Sequence, residues 1–329
     1  MAILVTGGAG YIGSHTVAEL LAHNEEVLII DNLKTGHKKS VLGGTFYKGD
    51  IRDRAFLDDI FRRHEIEAVI HFAASSLVGE SVQIPLAYYE NNLIASHTLI
   101  SAMLDHGVKK IVFSSTAAVY GEPKRVPIRE EDATEPTNPY GDTKLAMEKM
   151  FRWADGAHGL KSISLRYFNA AGAHPDGLIG EDHRPETHLV PIILQVALGQ
   201  REEIGIFGDD YPTEDGTCIR DYIHVMDLAS AHYLALQYLR EHEQSDVFNL
   251  GNGTGFSVKE VIETARRITG HPIPARVAPR RAGDPAVLIA SSDKPQRILN
   301  WKPRYHQLET IIESAWRWHR EHPNGYGDR

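Results

Sequence analysis

Cysteine is nearly missing from this sequence: Cys218 is the only one in 329 residues. An internal disulfide framework is therefore excluded, and a reducing compartment, the cytoplasm, is the expectation. Cys218 itself reads as a small buried residue. Long apolar runs are also lacking. No stretch approaches the roughly 20 residues of a spanning helix, so no membrane partner is expected. There is no long basic run either. With 35 Lys and Arg against 44 Asp and Glu, the net charge is -9. That balance argues against nucleic acid as a partner, although a phosphorylated metabolite needs only a few placed arginines. No basic segment precedes the apolar run at 2–6, so no signal peptide is expected. The 18 histidines include no H-E-x-x-H pair; no catalytic metal is expected, and His71 reads as packed at a strand end.

What is present is alternation. Apolar runs at 3–6, 26–30, 68–72, 110–114 and 162–165 read as buried strands. Helical patterns lie between them near 11–23, 53–63, 82–105 and 140–157. Strands alternating with helices predict an α/β fold, a Rossmann-type doubly wound parallel sheet with right-handed crossovers. After about residue 171 the pattern loosens. Gly-, Pro- and Asp-rich loops are expected at 172–187, 208–221 and 270–287, with helices near 188–199, 224–241, 257–268 and 307–321. Leu189, Ile192, Ile193, Val196 and Ala197 form an apolar face on the first of these. The expected division is a dinucleotide-binding domain over 1–171 and a smaller C-terminal substrate-binding lobe mostly over 172–329. The segment 222–250 is a candidate to pack back on the first domain.

A glycine loop, Gly7-Gly8-Ala9-Gly10-Tyr11-Ile12-Gly13, sits between the first strand and the first helix. Glycines there let the backbone approach a pyrophosphate, and the helix N-terminus offers N–H groups and a positive dipole end. The spacing is G-x-x-G-x-x-G. Asp31 ends the second strand, where a carboxylate accepts ribose hydroxyls and repels a 2′-phosphate, favouring NAD over NADP. Asp50 and Ile51 follow the third strand, at an adenine edge; Asp50 equally fits an N-cap for the helix after it. Phe72, Ala73 and Ala74 end the fourth strand with small residues beside the cofactor.

Further along lies Pro139-Tyr140-Gly141-Asp142-Thr143-Lys144. A Tyr four residues before a Lys places both on one side of a helical turn. A free phenol titrates near about 10, and a nearby ammonium favours phenolate and lowers that value. With Thr116 after a strand end, the pair suits proton abstraction from a substrate hydroxyl.

Several strings carry a family resemblance: Val5-Thr6-Gly7-Gly8-Ala9-Gly10-Tyr11-Ile12-Gly13, His71-Phe72-Ala73-Ala74, Tyr88-Tyr89-Glu90-Asn91-Asn92, Phe113-Ser114-Ser115-Thr116 and Leu165-Arg166-Tyr167-Phe168-Asn169. Together they resemble the extended short-chain dehydrogenase/reductase family over essentially the whole chain. Ile206-Phe207-Gly208-Asp209-Asp210-Tyr211-Pro212-Thr213-Glu214-Asp215-Gly216-Thr217, then Arg220-Asp221-Tyr222-Ile223-His224-Val225, is similar to the UDP-sugar 4-epimerase branch. The resemblance implies tightly bound NAD and interconversion of UDP-galactose and UDP-glucose through a 4-keto intermediate. It implies that Tyr140 takes the 4-hydroxyl proton, Thr116 bonds the reacting oxygen, and Lys144 holds the nicotinamide ribose and tunes Tyr140. The implied cofactor contacts are Gly7, Gly10, Tyr11, Ile12, Gly13, Asp31, Asn32, Asp50, Ile51, Phe72, Ala73, Ala74, Asn91, Tyr140, Lys144 and Tyr167. Those to a UDP-hexose are Thr116, Asn169, His188, Leu189, Gly205, Phe207, Arg220, Arg281, Asp284 and Leu288. Arg220 and Arg281 also make independent sense, because guanidinium groups match diphosphate oxygens. A homodimer through the helices near 82–105 and 140–157 is implied as well.

Three positions depart from the family pattern. Some members have a pyrophosphate-reaching Lys where this chain has Ser76. His188 replaces a nucleotide-contacting Asn. Leu288 stands where several members place a Tyr beside the sugar, which admits UDP-N-acetylhexosamines as candidate substrates. Related dehydratases carry Asp-Glu where this chain has Ala117 and Ala118, and alanines cannot transfer protons. The competing expectations are a 4-epimerase mainly for UDP-N-acetylglucosamine or an acidic UDP-sugar, and a non-enzymatic NAD-sensing module.

Overall fold

A computed structural model describes residues 1–281 and 284–327. Its first half runs β1 (Ala2–Thr6), α1 (Tyr11–Ala22), β2 (Val27–Asp31), β3 (Thr45–Lys48), α2 (Arg54–Arg63), β4 (Ile66–His71), α3 (Val78–Gln83), α4 (Pro85–Tyr88), α5 (Ala95–Asp105), β5 (Lys110–Thr116), α6 (Pro139–His158) and β6 (Lys161–Tyr167). Then come β7 (Asn169–Ala171), α7 (Leu189–Ala197), β8 (Ile204–Phe207), β9 (Ile219–His224), α8 (Val225–His242), β10 (Asp246–Leu250), β11 (Gly255–Ser257), α9 (Val258–Thr269), β12 (Ala275–Ala278), β13 (Val287–Leu288), α10 (Asp293–Ile298) and α11 (Leu308–Glu321).

Seven parallel strands form the main sheet in the order β10-β6-β5-β4-β1-β2-β3. The continuous apolar strands are explained by burial on both faces. Leu4, Leu28, Ile30, Val69, Ile111 and Phe113 face α2, α5 and α6. Ile3, Val5, Val27, Ile29, Ile70 and Val112 face α1 and α8. The chain is thus an α/β protein of the doubly wound Rossmann type. Strand order reverses between β1 and β4, which opens a crevice at their carboxyl ends, where such sheets bind ligands.

The remaining strands form a small sheet of β11, β9, β13 and β7, and a β8–β12 pair. Helices α7, α9 and α11 share an apolar core with them, including Ile193, Leu194, Val261, Ile311 and Ile312. Yet α8 and β10 leave this region. β10 extends the main sheet beside β6, and α8 packs on α1.

Three local expectations are corrected. The helix after β3 begins at Arg54, and its cap is Asp53, which accepts from Phe56 N at 3.1 Å; Asp50 does not cap it. The stretch 82–105 is not one helix. It breaks at Pro85, which lacks an N–H and clashes with the preceding turn, into α3, α4, a π-turn at Tyr89–Ile94 and α5. The expected loops at 208–221 and 270–287 contain the start of β9, β12 and β13.

Candidate active site

The glycine loop lies at the strand-order reversal. Gly7 has φ +73°, and a Cβ on it would lie 2.6 Å from Ala73 N, the backbone after β4. A Cβ on Gly13 would lie 2.2 Å from Gly7 O. Side chains at either position would force β1, α1 and β4 apart. A Cβ on Gly10 would lie 3.3 Å from Gly7 O, so this position too leaves little room for a side chain. Gly10 caps α1 without a side-chain hydrogen bond, and no carboxylate occupies the first turn. Those features fit a bound pyrophosphate. Tyr11 is buried with its hydroxyl donating to Gly172 O at 2.6 Å, and Ile12 packs on the core below.

Asp31 is buried at the end of β2. Its Oδ2 accepts from Ala9 N at 3.0 Å and its Oδ1 from Leu33 N at 2.8 Å, so the carboxylate is fixed beside the glycine turn. Asn32 donates to Asp50 at 3.2 Å. Asp50 also accepts from the Arg52 backbone N–H and guanidinium, which draws its carboxyl down to about 2. Ile51 is buried in the core. Phe72 and Ala73 donate backbone N–H bonds to Thr6 O, and the Phe72 ring lies 4.7 Å from that of His232. His71 is packed: Thr6 Oγ1 and Ser96 Oγ flank it at 2.7 and 2.8 Å, and burial drops its pKa to about 3.

Tyr140 and Lys144 share the first turns of α6. Asn138 caps that helix by accepting from Gly141 N at 2.9 Å, with Pro139 at the first position. Gly141 is required because a Cβ there would come within 2.6 Å of Ala118 O. Both Tyr140 and Lys144 are buried. Thr116 ends β5, its hydroxyl accepts from Ala118 N at 3.1 Å, and its side chain favours the Tyr140 phenolate. Lys144 Nζ donates to Ser114 O at 2.8 Å and sits 5.9 Å from the Tyr140 ring centre.

The electrostatics differ from the sequence expectation. Burial raises the Tyr140 phenol, and only the Thr116 bond pulls it back. Burial also lowers the Lys144 ammonium to about 7, against the pull of Glu148. Each group loses hydration for its charged form, and for the phenol burial is the larger influence.

Around this pair, Tyr167 bonds Ser114 Oγ at 2.5 Å. Asn91 reaches Ser75 Oγ at 3.1 Å, but the buried organiser is its neighbour Asn92. Asn92 accepts from Ser75 N at 2.8 Å and donates to Ser75 O and Thr143 Oγ1. Sequence reading singles out neither Asn92 nor Ser114. Their only signal is their place in the π-turn and in the Ser114-Ser115-Thr116 strand end.

The second group converges from the small strands. Arg220 Nη2 pairs with Asp284 Oδ1 at 2.5 Å. The Arg281 guanidinium lies 4.0 Å over the Phe207 ring, which is 39% exposed. Gly205 faces that same ring. Asn169 donates to Asp221 O at 3.1 Å, and Leu189 opens α7. His188 is bonded to Glu181, in a cluster with His183 and Glu186. Leu288 and Ala117 pack on one apolar cluster with Val119, Leu145 and Phe168. The lobe therefore meets the strand end that carries Thr116.

Residues 3–251 match the model of the NAD dependent epimerase/dehydratase family. The chain belongs to this family. It is 68% identical over 326 residues to a UDP-glucose 4-epimerase of Halalkalibacterium halodurans, covering 99% of this chain and 98% of that protein. The crystal structure of UDP-glucose 4-epimerase from Bifidobacterium longum in complex with NAD+ and UDP has a TM-score of 0.94 at 42% identity, covering 99% of this chain and all of that one. The enzyme from Brucella ovis in complex with NAD also gives 0.94, at 46% identity, covering 96% and 97%.

Proposed function

We propose that this chain is an NAD-dependent UDP-glucose 4-epimerase. The observation that carries the reading is the buried Tyr140–Thr116–Lys144 group in a sheet whose strand-order reversal carries a close-packed glycine turn, with Ala117 and Ala118 adjoining it in place of proton-transferring residues. NAD, when bound, supplies acceptor and donor for the hydride exchanged at C4. Gly7, Gly10, Gly13 and the first turn of α1 would hold its pyrophosphate, and Asp31 its adenosine ribose. Residues 1–171 with 222–250 are then the cofactor domain, and most of 172–329 is the substrate lobe.

Tyr140 takes the proton of the sugar 4-hydroxyl and returns it to the epimeric oxygen. Thr116 holds that oxygen and favours the phenolate. Lys144 adds positive charge when protonated. The 4-ketose must turn over in the pocket between these two events. Arg220 and Arg281 hold the diphosphate, with Phe207 and Gly205 at the uracil, so the nucleotide stays anchored while the ketose rotates. Ala117 and Ala118 offer no proton relay for loss of water, which favours return to the hexose over dehydration.

Leu288 supports a wider sugar range that includes UDP-N-acetylhexosamines. Exposed Val82, Leu86 and Trp153, on α3, α4 and α6, support a homodimer through these helices. Among the described residues no helix is long and apolar enough to cross a membrane; the single buried Cys218 supports a cytoplasmic location.

The test is incubation of the purified protein with UDP-galactose, with products resolved by chromatography and the bound nucleotide extracted. UDP-glucose and NAD are expected. Mainly NADP in the extract would remove the Asp31 role. No interconversion by NAD-loaded protein would remove the epimerase reading.

A further inference from the structure

The loop between β7 and α7 holds a cluster with no part in the proton or hydride steps, although the family resemblance puts one member, His188, at the nucleotide. Glu181, His183, Glu186 and His188 each turn one ligand atom inward, and those atoms all lie within 4.8 Å of one another. His183 Nδ1 is 3.1 Å from Glu181 Oε1 and 3.8 Å from Glu186 Oε2. His188 Nδ1 bonds the same Glu181 oxygen and lies 3.8 Å from Glu186 Oε1. Both carboxylate side chains are only 3% exposed. Glu186 Oε1 is further fixed by the backbone N–H groups of Thr187 and His188 at 2.8 and 2.9 Å.

We propose that these four side chains form a site for a borderline divalent metal ion, zinc foremost. The charge argument is direct. Two buried carboxylates are neutralised by imidazolium ions, by a proton taken up on one of them, or by one divalent cation between neutral rings. The geometric argument is separate. Zinc bonds of about 2.0–2.2 Å in a tetrahedron set ligand atoms about 3.3–3.6 Å apart. Separations of 3.1 and 3.8 Å lie on either side of that value, while His188 hydrogen-bonds Glu181 more closely and would have to draw back to admit the ion. Two imidazole nitrogens with two carboxylates select zinc-like ions over magnesium or calcium, which prefer oxygen alone. His188 is about half exposed, at 48%, and gives the ion a route from solvent.

The site is structural. Its His183 ring meets Tyr11 of the glycine loop edge-on at 6.2 Å between centres. His188 immediately precedes α7. A bound ion would therefore fasten the loop between the cofactor turn and the first helix of the lobe. The proposal stands whether or not the epimerase reading holds.

The experiment strips the full-length protein with dipicolinate, reloads it with zinc or cobalt chloride, and measures bound metal, the visible cobalt spectrum and Tm. One zinc per chain, an intense four-coordinate cobalt band and a raised Tm are expected. His183→Ala, at a half-buried position, should lower affinity at least about 10-fold and abolish the cobalt band. Glu181→Gln is the second variant. A wild-type protein that retains no zinc, or equal retention by wild type and both variants, would overturn the proposal; the four side chains would then be an ion network only.

Discussion

The two ends of the candidate site are built differently. On the sheet side, Asp31, Thr116, Tyr140 and Lys144 are buried, and each is fixed by backbone at a strand end or in a helix turn. On the lobe side, Arg220, Asp284, Arg281 and Phe207 are more open and hold one another. In the proposed function the chemistry would thus be held by main chain, and recognition would fall to side chains whose present partners are one another. Substitutions on the two sides should fail differently.

The largest effect is expected on the sheet side. Tyr140→Phe should reduce turnover by about 10²–10⁴-fold while UDP binding stays nearly intact. A folded variant with near-normal rate would break the contrast at once. On the lobe side, Leu288→Tyr should depress turnover of UDP-N-acetylglucosamine while largely sparing UDP-glucose. Overfilling a packed site costs about 1–3 kcal/mol, or about 5–150-fold in rate. Equal losses on both sugars, measured by steady-state kinetics, would detach Leu288 from specificity.

Thr116→Val tests the electrostatics. In the proposed mechanism Tyr140 acts when deprotonated, so activity is expected to rise with pH through its pKa. Removing the one bond that favours phenolate raises that pKa. The rising limb of the kcat–pH profile should move upward by up to about one unit, the equivalent of a hydrogen bond worth about 0.5–1.5 kcal/mol. An unmoved limb would assign the phenolate to other charges. The smallest effect is structural. Ser257 and Glu260 form a reciprocal cap on α9, and Ser257→Ala should cost about 0.5–2 kcal/mol of stability, seen as a lower Tm with kcat unchanged.

The same contrast explains what could be read in advance. The sheet-side elements are contiguous in sequence: a glycine turn, an acid at a strand end, and Tyr and Lys one helical turn apart. Their spacing is their geometry. Strand runs such as Val27–Asp31 are apolar because both faces are buried, so the doubly wound sheet was legible too. The lobe is assembled from strands of two to six residues, too short to show periodicity. Arg220 and Asp284 meet across 64 positions, and only the family resemblance placed them together. The direction of the Tyr140 shift is hidden for another reason: the spacing Tyr-x-x-x-Lys gives proximity but not burial, and burial dominates here. Likewise His183 and His188 gain meaning only when the loop folds them onto Glu181 and Glu186.

The placement of β10 has a consequence for biosynthesis. The main sheet receives its last strand only at Leu250, after β7, α7, β8 and β9 of the lobe have been made. During translation, the growing chain reaches residue 171 with the β6 edge open and with the surface that α8 later covers bare. Such edges invite pairing with other chains. A fragment cut where the motifs thin out would keep that hazard permanently, so the two halves are expected to mature as one unit on or after release from the ribosome.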